Sequence, residues 1–390
     1  LFKKNNIVIE IKKTICFIVA TPLTANSFLL NHFKYLSNHF DIYLVSNFEE
    51  NAAISFSSPY VKETKHIAIQ RNIALIEDVK VLFSLRNYLS AMQFDAVQTV
   101  TPKAALLGIL AAKMAKVKIR IHIFTGQVWH TKKGLFKSLL KKIDCFIVYC
   151  ATHILVDGES QRKFLIENKI ISACNSEVLG KGSISGVDIN LFVPNQNIRE
   201  QYRNEFHLSD EIVFLFLGRI NKDKGILDLA NAFSRLNNKF TNTKLVLVGP
   251  DEENLQPQIR EICSDDQSVL FYGTTRKPEE VLQMGDVFCL PSYREGFGSS
   301  VIEASLLELP IICSDTYGLM ETILDNTTGL RHEVGDIESL YVQMETLMLD
   351  QNLRKNFGEN GREFVLDNFS SDAISQKWVS YYINLLLPKH

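Results

Sequence analysis

Pro291-Ser-Tyr-Arg-Glu295-Gly296-Phe297-Gly298-Ser-Ser300-Val-Ile-Glu303-Ala304 is the stretch on which the fold of this chain turns. An apolar run ends at Pro291, a loop with two glycines follows, and a helical pattern begins near Ser299 or Ser300. A strand that enters a helix through a short loop is the building unit of a parallel sheet. Such a turn aims backbone N–H groups and the positive end of the helix at one spot, which suits a phosphate. Glu295 sits at the loop mouth and Glu303 about one turn into the helix. Like charge keeps both from the phosphate itself, so sugar or ribose hydroxyls are their natural partners. Glu303 also has a purely structural reading, because Ser300-Val-Ile-Glu303 spells a capping box.

The same alternation runs outward in both directions. Short apolar runs predict strands over 14–20, 41–47, 96–100, 118–125, 145–150 and 153–157. Helical patterns sit between them over 26–38, 79–93 and 103–116. A Gly-rich break at 179–197 carries Gly180, Gly182, Gly186 and Pro194, and the strand series then restarts over 212–217, 244–248, 269–272, 287–290 and 311–314. Helical stretches at 337–349, 353–366 and 372–386 close the chain. This pattern predicts an α/β chain of two doubly wound, Rossmann-like domains, residues 1–183 and 184–370, with a cleft between them as the ligand site. The apolar terminal stretch 371–390, with Trp378, Tyr381 and Tyr382, is expected to pack back onto the first domain.

Composition agrees with a globular protein. Of 390 residues, 46% are hydrophobic and 22% charged, which excludes wholesale disorder, and no apolar run approaches a membrane span. Lysines at the start are followed by an apolar stretch broken at Glu10, Lys12 and Lys13, so we read no secretory signal there. Seven scattered cysteines read as buried thiols of a reducing cytoplasm rather than a disulfide framework or zinc site. The net charge of −2 hides an asymmetry. Residues 1–183 hold 24 Lys and Arg against 13 Asp and Glu, and residues 184–390 hold 18 against 31. A basic half attracts phosphate-bearing ligands or an anionic membrane. Nucleic acid is not expected, since no recognised motif or aromatic–basic platform appears.

A second loop carries cations. Phe214-Leu-Phe-Leu-Gly218-Arg219-Ile-Asn-Lys-Asp-Lys224-Gly225 again takes a strand into a helix. Arg219 can grip phosphate oxygens as a fork, and Lys224 supplies a compact point charge. With Glu295 and Glu303, these residues resemble the GT-B family-4 retaining glycosyltransferases of bacterial surface polysaccharide and lipid-linked oligosaccharide synthesis. The resemblance is specific over residues 178–369, through Gly218-Arg219, Lys224-Gly225 and the paired glutamates.

The resemblance implies a nucleotide-diphosphate sugar in the interdomain cleft, with a UDP-sugar favoured. It implies that Arg219 and Lys224 hold the diphosphate and Glu303 the ribose. Glu295, Gly296, Phe297 and Gly298 would hold the transferred sugar, with the Tyr272-Gly273-Thr274 turn near the base. Two cations and a helix N-terminus would stabilise the leaving diphosphate, so neither metal nor cofactor is expected. No Asp-x-Asp occurs in the chain. The implied activity moves a hexose or N-acetylhexosamine to a polyprenyl-diphosphate-linked saccharide in O-antigen, capsule or glycan assembly. Rival readings are an epimerase, a phosphorylase-like enzyme, and a non-catalytic nucleotide-sugar-binding scaffold.

The first half is less legible. Many relatives carry a His before Gly126, where this chain has Thr125, so His122 is the candidate catalytic group there, with His130 and Thr125 as fallbacks. Residues 20–26 stand where the family has a Gly-rich loop, which leaves any phosphate contact from that loop unsupported. Around 130–143, Leu135, Phe136, Leu139, Leu140 and Ile143 are expected on one helical stripe, with Lys137 and Lys141 on the other side. With Lys132, Lys133 and Lys142 this predicts peripheral contact with the cytoplasmic face of the inner membrane.

Overall fold

The computed structural model describes residues 12–49, 56–70, 74–264 and 267–387. Among these residues thirteen strands form two sheets in which every pairing is parallel. The first holds β1 (Thr14–Ile18), β2 (Asp41–Ser46), β3 (Glu63–His66), β4 (Ala96–Val100), β5 (Ile119–Phe124), β6 (His153–Val156) and β7 (Ser176–Glu177). Their order across the sheet is β3-β2-β1-β4-β5-β6-β7. The second holds β8 (Ile212–Leu217), β9 (Thr243–Val248), β10 (Val269–Gly273), β11 (Val287–Leu290), β12 (Ile311–Ser314) and β13 (Gly329–His332). It is ordered β10-β9-β8-β11-β12-β13. Helices cover both faces, so central strands such as Ile-Val-Phe-Leu-Phe-Leu at β8 are apolar without alternation.

The order reverses between β1 and β4 in one sheet and between β8 and β11 in the other. In open α/β sheets the crevice beyond the strand ends at such a reversal is where ligands bind. The loops after β8 and β11 are the two quoted segments, and they flank the second reversal. The fold brings the motifs together.

Three expectations need correction. Residues 145–150 are the last turns of the helix Gly134–Cys150 rather than a strand. Leu140, Ile143, Asp144, Ile147 and Cys150 lie on its inward flank at helical spacing, so their apolar density is a helix seam. The helix expected over 26–38 is two, Pro22–Phe28 and Leu30–Leu36, joined at Leu29. Residues 20–26, read as a loop, therefore run into helix. The capping-box reading of Glu303 also fails, because the helix Ser299–Leu306 has Gly298 as its N-cap and no side-chain cap.

The terminal helix Ser371–Leu386 crosses back to the first sheet. Trp378 stacks on His32 with centroids 4.2 Å apart, and His32 Nδ1 lies 2.9 Å from Ser375 Oγ. The Tyr382 hydroxyl donates to Gln98 Oε1 on β4. At the crossing, Val187 N–H donates to Phe369 and Ser371 N–H to Val187.

Candidate functional site

A cleft of about 890 Å³ opens between the two sheets. From the second sheet it is lined by Arg219, Lys224, Glu295, Phe297, Gly298 and Glu303, six of the residues singled out in the sequence. From the helices Pro22–Phe28 and Leu30–Leu36 that follow β1, Asn26, Ser27, Asn31 and Lys34 line its other side.

Lys224 reaches this place because Gly225 turns with φ of 67° directly against Pro291. A Cβ at Gly225 would lie 1.9 Å from the Pro291 carbonyl oxygen, so a side chain cannot fit. Lys224 Nζ then meets Glu295 Oε1, which also accepts from Ser292 Oγ at 2.7 Å. The side chains are only 16% and 9% exposed. Each charge is therefore costly without the other.

Arg219 is held differently. Its Nη1 donates to Glu252 Oε2 at 2.9 Å, and Asn221 Nδ2 donates to the same oxygen at 3.0 Å. Glu252 follows β9, and nothing in its local sequence marks it. The Arg219–Glu252 pair is about half exposed, so it contributes only ~0–1 kcal/mol.

Glu303 faces the same cleft from the second turn of the Ser299–Leu306 helix. Burial, and then the charge of Glu279, push its carboxyl from 4.5 up to about 8. A carboxyl raised on folding keeps a proton that the unfolded chain has released. Stability is then full below the unfolded value and falls between the two values as pH rises. Glu303→Gln removes that fall. Thermal denaturation should show parent and variant alike at about pH 4 and the variant more stable by about 5 °C at pH 8.5. An equal gap at both pH values would place the carboxyl in open solvent instead.

None of Tyr272, Gly273 and Thr274, the turn expected near a base, lines the cleft. Thr275 and Pro278 line it, but the Tyr272 ring packs against Phe206 with centroids 5.3 Å apart. Gly273 has φ of 82° and open space where a side chain would stand.

Across the cleft the two sheets touch, backbone to backbone. A Cβ at Gly296 would lie 1.9 Å from the carbonyl oxygen of Thr125, at the end of β5. Beside this contact, Gln127 N–H donates to the Tyr317 hydroxyl at 3.3 Å. Glu321 caps the helix Glu159–Glu167 from the other sheet, accepting from Ser160 N–H and, at 2.7 Å, from Ser160 Oγ. Sequence reading missed this cap, which joins residues 161 positions apart.

His122 lies on β5 with 1% of its surface exposed, and its Nδ1 is 3.0 Å from Thr99 Oγ1. Burial lowers it to about 4, so it is neutral near pH 7. It is suited to hydrogen bonding and not to donating a proton as imidazolium. His130 packs between Phe164 and Tyr317, at 4.9 and 5.1 Å. Burial, then Lys137 and Arg294, lower its pKa.

The lysine helix also differs from expectation. Lys137 and Lys141 fold over the Trp129 ring, at 5.9 and 5.2 Å, and Lys141 also donates to Asn168 Oδ1. Lys132, Lys133 and Lys142 stay exposed. Leu140 and Ile143 turn inward, while Leu135 is 90% exposed and Leu139, Phe146 and Tyr149 share its open side. The apolar residues thus divide between two faces, one for the core and one for the outside.

The family description "Glycosyl transferases group 1" matches residues 197–364. The Staphylococcus aureus capsular polysaccharide biosynthesis glycosyltransferase CapM is 32% identical over 331 residues, covering 84% of this chain and 87% of its own. An Escherichia coli UDP-Gal:alpha-D-GlcNAc-diphosphoundecaprenol alpha-1,3-galactosyltransferase is 26% identical over 367 residues, covering 92% and 93%. In fold, the chain matches Anabaena Alr3699/HepE, solved in complex with UDP-glucose. The TM-score is 0.80 at 16% identity, over 96% of this chain and 100% of that one.

Proposed function

The chain belongs to the group 1 glycosyltransferases of the GT-B fold, and from that premise we propose that it transfers a sugar from a nucleotide diphosphate to a polyprenyl-diphosphate-linked saccharide. The observation that carries this reading is the convergence of Arg219, Lys224, Glu295 and Glu303 on one cleft beside a helix N-terminus. The transferred unit is a hexose or N-acetylhexosamine, and the donor base is uracil. The named relatives support both choices, since one uses UDP-Gal on a diphosphoundecaprenol acceptor and a structural neighbour holds UDP-glucose.

In this mechanism Arg219, Lys224 and the first turn of Ser299–Leu306 receive the diphosphate. Charge grows on that group as the glycosidic bond breaks, and preorganised cations stabilise it. Glu303 binds ribose hydroxyls. Glu295 and the backbone of Gly296, Phe297 and Gly298 seat the sugar, with configuration retained by attack from the leaving-group side. The leaving phosphate takes the acceptor proton, and neither metal nor cofactor takes part.

A panel of nucleotide sugars screened by thermal shift in EDTA tests the donor side. A ligand that binds only the folded chain raises its Tm, by ~2.7 kcal/mol of stabilisation at a hundredfold excess over Kd. A UDP-sugar should do so, and should then be consumed only when lipid-linked acceptor is added. Silence across uridine and guanosine sugars would sink the reading. Conversion without acceptor would mark an epimerase.

The acceptor's lipid places the enzyme at a membrane. Among the described residues no helix is long and apolar enough to cross one. Instead, Leu135, Leu139, Phe146 and Tyr149 form an open apolar stripe beside Lys132, Lys133 and Lys142. A basic amphipathic helix of this kind lies in the headgroup layer, at ~1 kcal/mol per nearby cation. Changing those three lysines to Gln should lower co-sedimentation with phosphatidylglycerol vesicles by about tenfold or more. Binding that survives the change would remove the surface from the proposal.

A further inference from the structure

The loop between β12 and β13, residues 315–324, is buried over much of its length, which is unusual for a connection. Tyr317 is 7% exposed. Its ring stacks on Phe164, in the helix Glu159–Glu167 of the first domain, with centroids 4.4 Å apart and planes at 20°. Phe164 in turn stacks on Trp129 at 5.2 Å, and His130 stands edge-on to both Phe164 and Tyr317. A side chain of the second domain is thus seated in an aromatic slot of the first. Beside it, Gly318 N–H donates to Ser160 Oγ at 3.1 Å, and that hydroxyl donates on to Glu321 Oε2 at 2.7 Å. Glu321 stands at the positive end of the Glu159–Glu167 helix, where a carboxylate is favoured.

The other side of this loop carries the Glu295–Gly298 segment. Gly318 has φ of 84°, and a Cβ there would lie 2.5 Å from the Gly296 carbonyl oxygen and 2.9 Å from that of Glu295. Gly298 N–H donates to the Gly318 carbonyl at 3.0 Å, and Thr316 Oγ1 donates to the Tyr293 carbonyl at 3.2 Å. A segment with two glycines has many backbone conformations open to it, so its shape is set by what packs on it. What packs on it here is fastened in the first domain.

We propose that residues 316–321 are a clip that sets the Glu295–Gly298 backbone from the first domain, with Tyr317 and Glu321 as positioning residues for transfer. The inference rests on the glycosyltransferase reading above and divides its donor site in two. The nucleotide end, at Arg219, Lys224 and Glu303, belongs to the second domain alone. The sugar end takes its shape only while Tyr317 is seated in its slot. Neither Tyr317 nor Glu321 lines the cleft, so each acts through the backbone of the segment rather than on the sugar. A shift of about 1 Å at a reacting centre costs about 100-fold in rate, and the clip prevents it.

Two measurements on the full chain test this. In hydrogen exchange, residues 293–298 of Tyr317→Ala should exchange about tenfold or more faster than in the parent, with 219–225 unchanged. In transfer assays with a short-prenyl diphosphate bearing GlcNAc and the donor found in the panel above, kcat of Tyr317→Ala should fall by about 100-fold, while its Kd for UDP stays within about threefold. Tyr317→Phe keeps the stack and should recover most of the lost kcat. Ser160→Ala removes only the hydroxyl between Gly318 and Glu321; it should speed exchange at 293–298 and lower kcat about tenfold with UDP binding kept. It decides the question if Tyr317→Ala does not fold. Exchange and kcat equal to the parent's in these variants would overturn the proposal. So would loss of UDP binding in step with kcat, the mark of a merely structural role. Faster exchange at 293–298 in a chain whose parent binds no nucleotide sugar would keep the clip and overturn the enzyme reading instead.

Discussion

Replacing Glu295 by Gln cuts turnover by about 100-fold or more at saturating donor, the usual cost of losing one preorganised group at a reacting centre. The substitution is mild in shape. Gln keeps an oxygen for Ser292 Oγ, which now donates to Glu295 Oε1 at 2.7 Å. What it removes is the charge facing Lys224 Nζ, in a place where both side chains are largely buried. Lys224 is left without its partner in the empty enzyme, so Tm should fall by a few degrees. Bound diphosphate replaces the missing negative charge, and the thermal shift given by the donor should therefore be larger than in the parent. Lys224→Ala gives the opposite pattern, with a weaker shift by donor as well as lower turnover. A Glu295→Gln enzyme with kcat within threefold of the parent would take Glu295 out of the chemistry.

Gly296→Ala is the second large effect, and it acts through distance alone. The added methyl would stand 1.9 Å from the Thr125 carbonyl oxygen and 2.4 Å from its carbon. Both obstacles are backbone atoms and cannot rotate aside. Either the Glu295 loop withdraws or the two sheets part, and each moves donor and acceptor groups by about 1 Å. Misplacement on that scale costs about 100-fold in rate. Donor binding should suffer less, because Arg219 and Lys224 lie on the loop after β8 and keep their places. Parallel measurement of kcat and of the UDP thermal shift separates the two. Full activity in the variant would show that the backbone contact opens during turnover.

How much of this was legible depended on range. The loops after β8 and β11 could be read because every determinant is local: an apolar run, glycines that admit a turn, and cations or carboxylates at the rim. Strands β3 and β13 could not, since Glu-Thr-Lys-His and Gly-Leu-Arg-His carry no apolar pattern. The β3 residues are all exposed at a sheet edge, where charge keeps other strands away. Residues 145–150 misled for the reverse reason. A run of six apolar residues satisfies a buried strand and a helix seam equally well, and only the neighbours decide.

By itself, then, the sequence determined two doubly wound sheets, the break between them and the four charged residues that share one cleft, because periodicity and turn chemistry act within a few residues. Tertiary structure alone decided the rest. It paired Arg219 with Glu252, set Glu321 at the end of a helix in the other sheet, and turned half of the lysine helix's apolar residues outward. It also strained Thr101 beside a cavity whose walls come from two loops, the end of β5 and a helix. A residue's type limits which contacts it can make, but its partners there are distant in the chain, and folding is what brings them within reach.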